Sequence, residues 1–149
     1  MDSKKTEYRA MEKIVVKVLD YTETPGPRFI QQGAFSGEEF YVTILNPKMA
    51  ECIQNGLIME IVLDGTAGYP SSFLDQAFGE LVYDFSEEIV KQKVKFDTKM
   101  YNRRVNKLFE ETYPQWEKRR REKLSIHDER KRNNLYYIDD NGVLLQRIR

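Results

Sequence analysis

Residues 57 to 79 restrict the fold of this chain more than any other stretch, because an apolar run passes through a glycine loop straight into a helix. Leu57-Ile-Met-Glu-Ile-Val-Leu63 is rich in Ile, Val and Leu, the composition of a strand buried on both faces. It stops at Asp64-Gly65, passes a turn with Gly68 and Pro70, and enters a helix at Ser71 or Ser72. A serine there is expected to cap the helix, its hydroxyl accepting from an otherwise unpaired backbone N–H. The same place is the positive end of the helix macrodipole, which favours an anion. The strand–loop–helix is therefore the expected functional region, with Gly65, Thr66, Gly68, Tyr69, Pro70, Ser71 and Asp75 as its binding residues.

The flanking segments read as alternating strands and helices. Glu12 to Asp20 predicts a first strand, and Thr22 to Pro27, with two prolines and a glycine, a loop. Arg28 to Phe35 predicts a short second strand interrupted at Gly33. Ser36 is a good N-cap with Glu38 and Glu39 in the first helical turn, and Phe40, Ile44, Leu45, Met49, Cys52 and Ile53 follow at helical spacing. Pro47 should kink or split that helix, and Asn55-Gly56 should end it. The Ser71 helix places Phe73, Leu74, Ala77, Phe78, Leu81 and Val82 on a face toward the sheet, leaving Asp75, Glu80 and Asp84 for water or a partner. Lys91 to Asp97 alternates, as a strand near a sheet edge does. This order argues for an α/β fold with at least one parallel crossover.

Beyond Lys99 the character changes. Tyr101, Val105, Leu108, Phe109 and Trp116 keep helical spacing, broken at Tyr113-Pro114. Leu135 to Ile138 and Val143 to Ile148 flank Asp139-Asp-Asn-Gly142, a strong hairpin signal. Such a hairpin needs a surface to dock on. If it served instead to join a larger assembly, deleting Asn133–Arg149 should spare the thermal stability of the body. The expected organisation is a domain over residues 12–98, a charged helical extension over 99–132 and a C-terminal hairpin over 133–149.

Composition narrows the function. No apolar run approaches the ~20 residues of a membrane-spanning helix, and the charged N-terminus lacks the apolar stretch of a signal peptide. A single cysteine, Cys52, excludes an internal disulfide framework, and a cytoplasmic location is expected. Neither a phosphate-binding Gly-Lys-Ser/Thr loop nor a dinucleotide fingerprint is present around Gly65, Gly68 and Gly79. The one histidine, His127, is far from Cys52, so neither a metal site nor a partnered nucleophile is implied. Asp64 reads as a turn cap, and Arg28 as either the partner of a carboxylate or an anion-binding group beside the loop. No cofactor is implied, and the chain reads as non-enzymatic.

The zero net charge conceals a segregation. Residues 1–98 carry 10 Lys/Arg against 16 Asp/Glu, and residues 99–132 carry 12 against 6. The basic segment has three candidate partners: the chain's own acidic face, an acidic protein, or nucleic acid. In the last case Lys118, Arg119, Arg120, Arg121, Arg130, Lys131 and Arg132 would contact phosphates.

Taken in order, Gly26-Pro-Arg-Phe29, Gly33, Ser36-Gly-Glu-Glu-Phe40, Leu63-Asp-Gly65, Ser71-Ser-Phe-Leu-Asp75 and Ala77-Phe-Gly79 resemble the bacterial STAS-like domain of unknown function, over roughly residues 12 to 98. That family is related to the STAS domains of anti-sigma factor antagonists. The resemblance implies an α/β fold with a small mixed sheet covered by helices, here followed by the basic helical extension and the C-terminal β-hairpin. It also implies a regulatory module that docks a protein partner of the histidine-kinase-like ATPase class, as in partner switching. The phosphoacceptor of such a switch aligns with Ser71, and its neighbour with Ser72. The familiar Asp-Ser-Ser-Gly is here Pro70-Ser71-Ser72-Phe73. Nucleic-acid association through the basic helix and membership of a larger bacterial or phage-defence assembly are the alternatives to partner docking.

Overall fold

The computed structural model describes residues 12–126 and 132–148. Strand β1 (Lys13–Lys17) runs into a single turn, α1 (Val18–Tyr21). Where a second strand was expected, Ile30–Gln32 forms a 3-10 turn instead. The reason lies in where the backbone groups of this segment go. The Pro27 and Arg28 carbonyls accept from the N–H groups of Gly37 and Glu38 at 2.9 and 3.0 Å, so they satisfy a helix start rather than a sheet ladder. Gly26 is held against the Phe35 carbonyl, and a Cβ there would stand 2.2 Å from the Ala34 oxygen.

That helix start is α2 (Gly37–Phe40), capped as expected by Ser36, whose Oγ accepts from Glu39 N–H at 3.0 Å. It continues through a π turn (Tyr41–Leu45) into α3 (Asn46–Asn55), which ends on left-handed Gly56. Pro47 does not split the helix. The Asn46 N–H reaches back five residues to the Tyr41 carbonyl, and this wider turn accommodates the ring that would strike a normal α turn. The same device recurs at Pro114, described below.

Strand β2 (Ile58–Val62) follows, then α4 (Ser71–Phe85), α5 (Glu87–Lys93) and β3 (Val94–Asp97). The expected strand from Lys91 thus begins only at Val94. Ser86 caps α5 by accepting from Ile89 N–H, and Glu87 and Glu88 favour its first turn. The sheet order is β1-β2-β3 with both pairings parallel, so β2 is central and β3 lies at an edge, as its alternation required. Among the described residues, antiparallel pairing is confined to a separate hairpin, β4 (Tyr136–Ile138) with β5 (Leu144–Gln146).

One face of the sheet carries Val16, Met59, Ile61 and Val94 into the core, where α3 lies along β1 and β2 and Phe78 of α4 meets Phe96 of β3. The other is not covered by any described element: Ile58, Glu60 and Val62 are only half-buried, Val15 is exposed, and Lys13 pairs with Glu60 at 2.5 Å. The central strand is therefore buried on one face, not on both. Glu60 in the apolar run is the residue that betrays the open face.

The segment after β3 shares this core. Helix α6 (Asn102–Lys107), a π turn (Leu108–Thr112) and α7 (Tyr113–Arg121) form one helical run along α4. The Tyr113 N–H reaches back five residues to Leu108 ahead of Pro114, and the break expected at Tyr113-Pro114 is absorbed in the same way. Val105, Leu108, Tyr113 and Trp116 are buried. Gly79 lets the Trp116 ring lie directly on the α4 backbone. With helices on this side too, α4 is enclosed nearly all round, and Glu80 and Asp84 are 2% and 1% exposed rather than facing water.

The hairpin docks on the body. Asn46 takes both backbone groups of Tyr136, donating to its carbonyl and accepting from its N–H, each at 2.9 Å. Leu135 and Ile138 enter the core, and Arg147 reaches Asp84 at 2.8 Å. Removing residues 133–149 would uncover these groups, so the expectation that deletion spares the body's stability does not hold for this packing.

Candidate functional site

The loop between β2 and α4 is exposed but fixed at several points. Asp64 accepts from Thr98 Oγ1 at 2.5 Å and from the Lys99 and Met100 N–H groups at 2.8 and 3.3 Å. These bonds tie the end of β2 to the end of β3 and hold the Asp64 carboxyl below its usual range, Thr98 contributing most. The Ala67 N–H donates to the Glu23 carbonyl at 2.8 Å, and the Tyr101 hydroxyl donates to the Thr66 carbonyl at 3.3 Å. Gly65 (φ 102°) and Gly68 (φ 146°) take conformations that a side chain resists. Gly65, Ala67, Pro70 and Ser71 are exposed.

Tyr69 is not part of that surface. Its ring is 4% exposed, lies edge-on to Tyr101 at 4.8 Å, and its hydroxyl donates to the Leu63 carbonyl at 2.7 Å. Burial raises its pKa, so this tyrosine anchors the loop and cannot meet a partner.

Neither serine caps α4. Pro70 holds the cap position, at φ −58° and ψ 137°, and makes no side-chain cap bond. Ser71 is already the first helical residue, from which a hydroxyl does not reach the N–H groups of the next turn. Ser71 is exposed and Ser72 half-buried. The expected capping role therefore falls to the Pro70 backbone, whose carbonyl accepts from Phe73 N–H at 3.1 Å.

Arg28 takes the ion-pair role left open by its sequence. Its Nη1 reaches Asp75 Oδ2 at 2.6 Å and Gln76 Oε1 at 3.1 Å, while Asp75 Oδ1 accepts from Thr112 Oγ1 at 3.0 Å. Asp75 therefore joins the segment before α2 to the π turn of the extension. Beside it opens a cleft of about 330 Å³ between α4 and the α6–α7 run, lined by Arg28, Ser71, Asp75, Arg104, Lys107 and Thr112 among others. Arg104, Lys107 and Thr112 did not figure among the candidates. The signal that could have found them is the opposite charge of the two segments, read as one lying on the other.

A buried polar chain runs inward from this cleft. Gln76 donates to Glu80 at 3.1 Å, Glu80 pairs with Arg132, and Arg132 pairs with Asp84, which also accepts from the Tyr41 hydroxyl and from Arg147. Burial lifts the Glu80 carboxyl to about 8, outweighing the attraction of Arg132. Arg132 is 5% exposed and so is not presented to phosphates as the basic-helix reading requires. Arg119 lies over the Trp116 ring at 4.3 Å, Arg120 and Arg121 pair with Glu117 at 3.3 and 2.8 Å, and Lys118 is exposed. His127, Arg130 and Lys131 lie outside the described residues.

These features define an α/β unit whose exposed strand–loop–helix leads the site. Residues 36–98, from the cap of α2 to the close of β3, match the family described as STAS-like domain of unknown function (DUF4325). No curated protein and no solved structure matches the chain. Among the described residues, no helix is long and apolar enough to cross a membrane.

Proposed function

We propose that this chain is a cytoplasmic, non-enzymatic regulatory module that docks a protein partner through residues 64–75. One observation carries the reading: exposed Gly65, Ala67, Pro70 and Ser71 sit on a loop whose ends are fixed by Asp64, Thr66 and buried Tyr69. A surface already held in shape loses little conformational entropy on binding. The STAS-like likeness supports a partner of the histidine-kinase-like ATPase class, and exposure of Ser71 suits it to modification by such a partner. A phosphoryl group there would add close to two negative charges at the centre of the surface.

The test is partner capture from a bacterial lysate, followed by affinity measurement with the purified partner. Ser71→Glu is expected to weaken binding by roughly tenfold or more, about 1.4 kcal/mol, with an unchanged melting temperature. Equal affinity of Ser71→Glu and the parent chain would refute the switch.

A further inference from the structure

The cleft beside Asp75 holds more positive charge than its own carboxylates use. Three cations line it, Arg28, Arg104 and Lys107, against two carboxylates, Asp75 and Glu111. Asp75 is fully engaged, one oxygen on Arg28 and the other on Thr112. Lys107 meets Glu111 only at 4.0 Å, with both side chains more than half exposed, a pairing that contributes little. The Arg104 side chain makes no hydrogen bond or ion pair among the described residues, although the residue is half-buried in the wall. A guanidinium with no ion-pair partner among the described residues and an ammonium held only weakly by Glu111, one helical turn apart at i and i+3, thus line a concave space.

We infer that this cleft binds a phosphate monoester, with Arg104 and Lys107 as its ligands and Arg28, already fixed by Asp75, behind them. The chemistry selects that class. A guanidinium fork engages two oxygens of a tetrahedral dianion while the ammonium supplies a point charge to a third. The cleft carries one positive charge beyond its own carboxylates, and the second charge of the ester would take Lys107 from its weak contact with Glu111. Ser71, exposed on the rim, and the apolar side chains of Leu74 and Leu108 would face the organic part of the ester. Such a group has two sources: a free phosphorylated small molecule, or a phosphoryl group on Ser71 itself. The second source deepens the proposed docking switch and rests on it; the first stands alone. Under the second, modification would do more than repel a partner. It would clamp α4 to the α6–α7 run within one chain.

The experiment uses the full chain and no partner. Phenyl phosphate and inorganic phosphate are titrated by NMR at constant ionic strength, with chloride as control, against the parent chain and the Arg104→Ala/Lys107→Ala double variant. A second preparation carries phosphoserine installed at position 71. The expected result is saturable phenyl phosphate binding that shifts residues 71–75 and 104–112 and is weakened roughly tenfold or more in the double variant. If phosphoserine at 71 abolishes phenyl phosphate binding and moves the Arg104 side-chain resonance, the phosphoryl group of Ser71 fills the site. If binding persists in the phosphoserine form, a free monoester is the ligand. Binding that does not depend on Arg104 and Lys107, or no binding together with an unmoved Arg104 resonance in the phosphoserine form, would overturn the inference. Because no partner is present, that failure would leave the docking reading standing, and unchanged partner affinity in Ser71→Glu would leave the cleft standing.

Discussion

Gly79→Ala tests whether the extension is part of the folded core. An ideal Cβ at Gly79 would stand 2.2 Å from both Cε2 and Nε1 of Trp116 and 2.6 Å from its Cδ1. A comfortable contact needs about 3.4 Å or more, so the ring must retreat by roughly an ångström. It cannot do so as a flexible side-chain end would. The indole is rigid and 3% exposed, and Arg119 is stacked on its face at 4.3 Å. The displacement must pass to α7. In a solvated helix the same substitution would stabilise by up to about 1 kcal/mol through backbone entropy. Overpacking a filled core costs about 1 to 3 kcal/mol, and complete undocking of a buried tryptophan about 3 to 5 kcal/mol. The expected net effect is a destabilisation of about 1 to 3 kcal/mol, which lowers the melting temperature by roughly 2 to 10 °C. Trp116 is the only tryptophan, so its emission reports the site directly, and Gly79→Ala should shift it to the red. Urea unfolding followed by fluorescence and by circular dichroism provides the measurement. A Gly79→Ala chain more stable than its parent, with unshifted emission, would refute the packing of α7 on α4.

Other outcomes follow from the same contacts. Asp84→Ala leaves Arg132, Arg147 and the Tyr41 hydroxyl without their shared acceptor and should cost about 3 to 5 kcal/mol in urea unfolding; a loss under 1 kcal/mol would contradict the buried network. Glu80 has a folded-state pKa raised from 4.5 to about 8, so the stability it contributes is complete below pH 4.5 and is lost as pH rises toward and through 8. Across that window the melting temperature of the parent should fall relative to Glu80→Gln, and parallel profiles would show that Glu80 does not titrate there. Deleting residues 133–149 uncovers Leu135 and Ile138 contacts and strands Asn46, and should lower the melting temperature by several degrees; an unchanged value would mean the hairpin does not dock.

Local chemistry was legible in the residues themselves. Ser36 caps its helix, Gly56 ends one in the left-handed region, and Gly142 (φ 78°) turns the hairpin, because each depends on a few neighbouring backbone groups. The apolar run at 57–63 became the central strand, while the opposed charges of the two segments left three partners open for the extension, which packs along α4. Most of the misreadings concern what a segment meets elsewhere in the fold, and one, at Pro70, concerns which of two neighbours starts a helix. Pro27 and Arg28 give their carbonyls to α2 rather than to a strand, Pro70 displaces the serines from the cap, and Tyr69 turns inward to Tyr101. Glu80 and Asp84 have the spacing of a wet face, and only the arrival of Arg132 and Arg147 at that face makes their burial tolerable. The sequence alone determined the central strand, the helix it feeds and the closing hairpin, since periodicity and turn chemistry act over a few residues. The tertiary structure alone decided which charges would be buried, paired or left facing a cleft, since the free energy of a charge depends on everything packed around it.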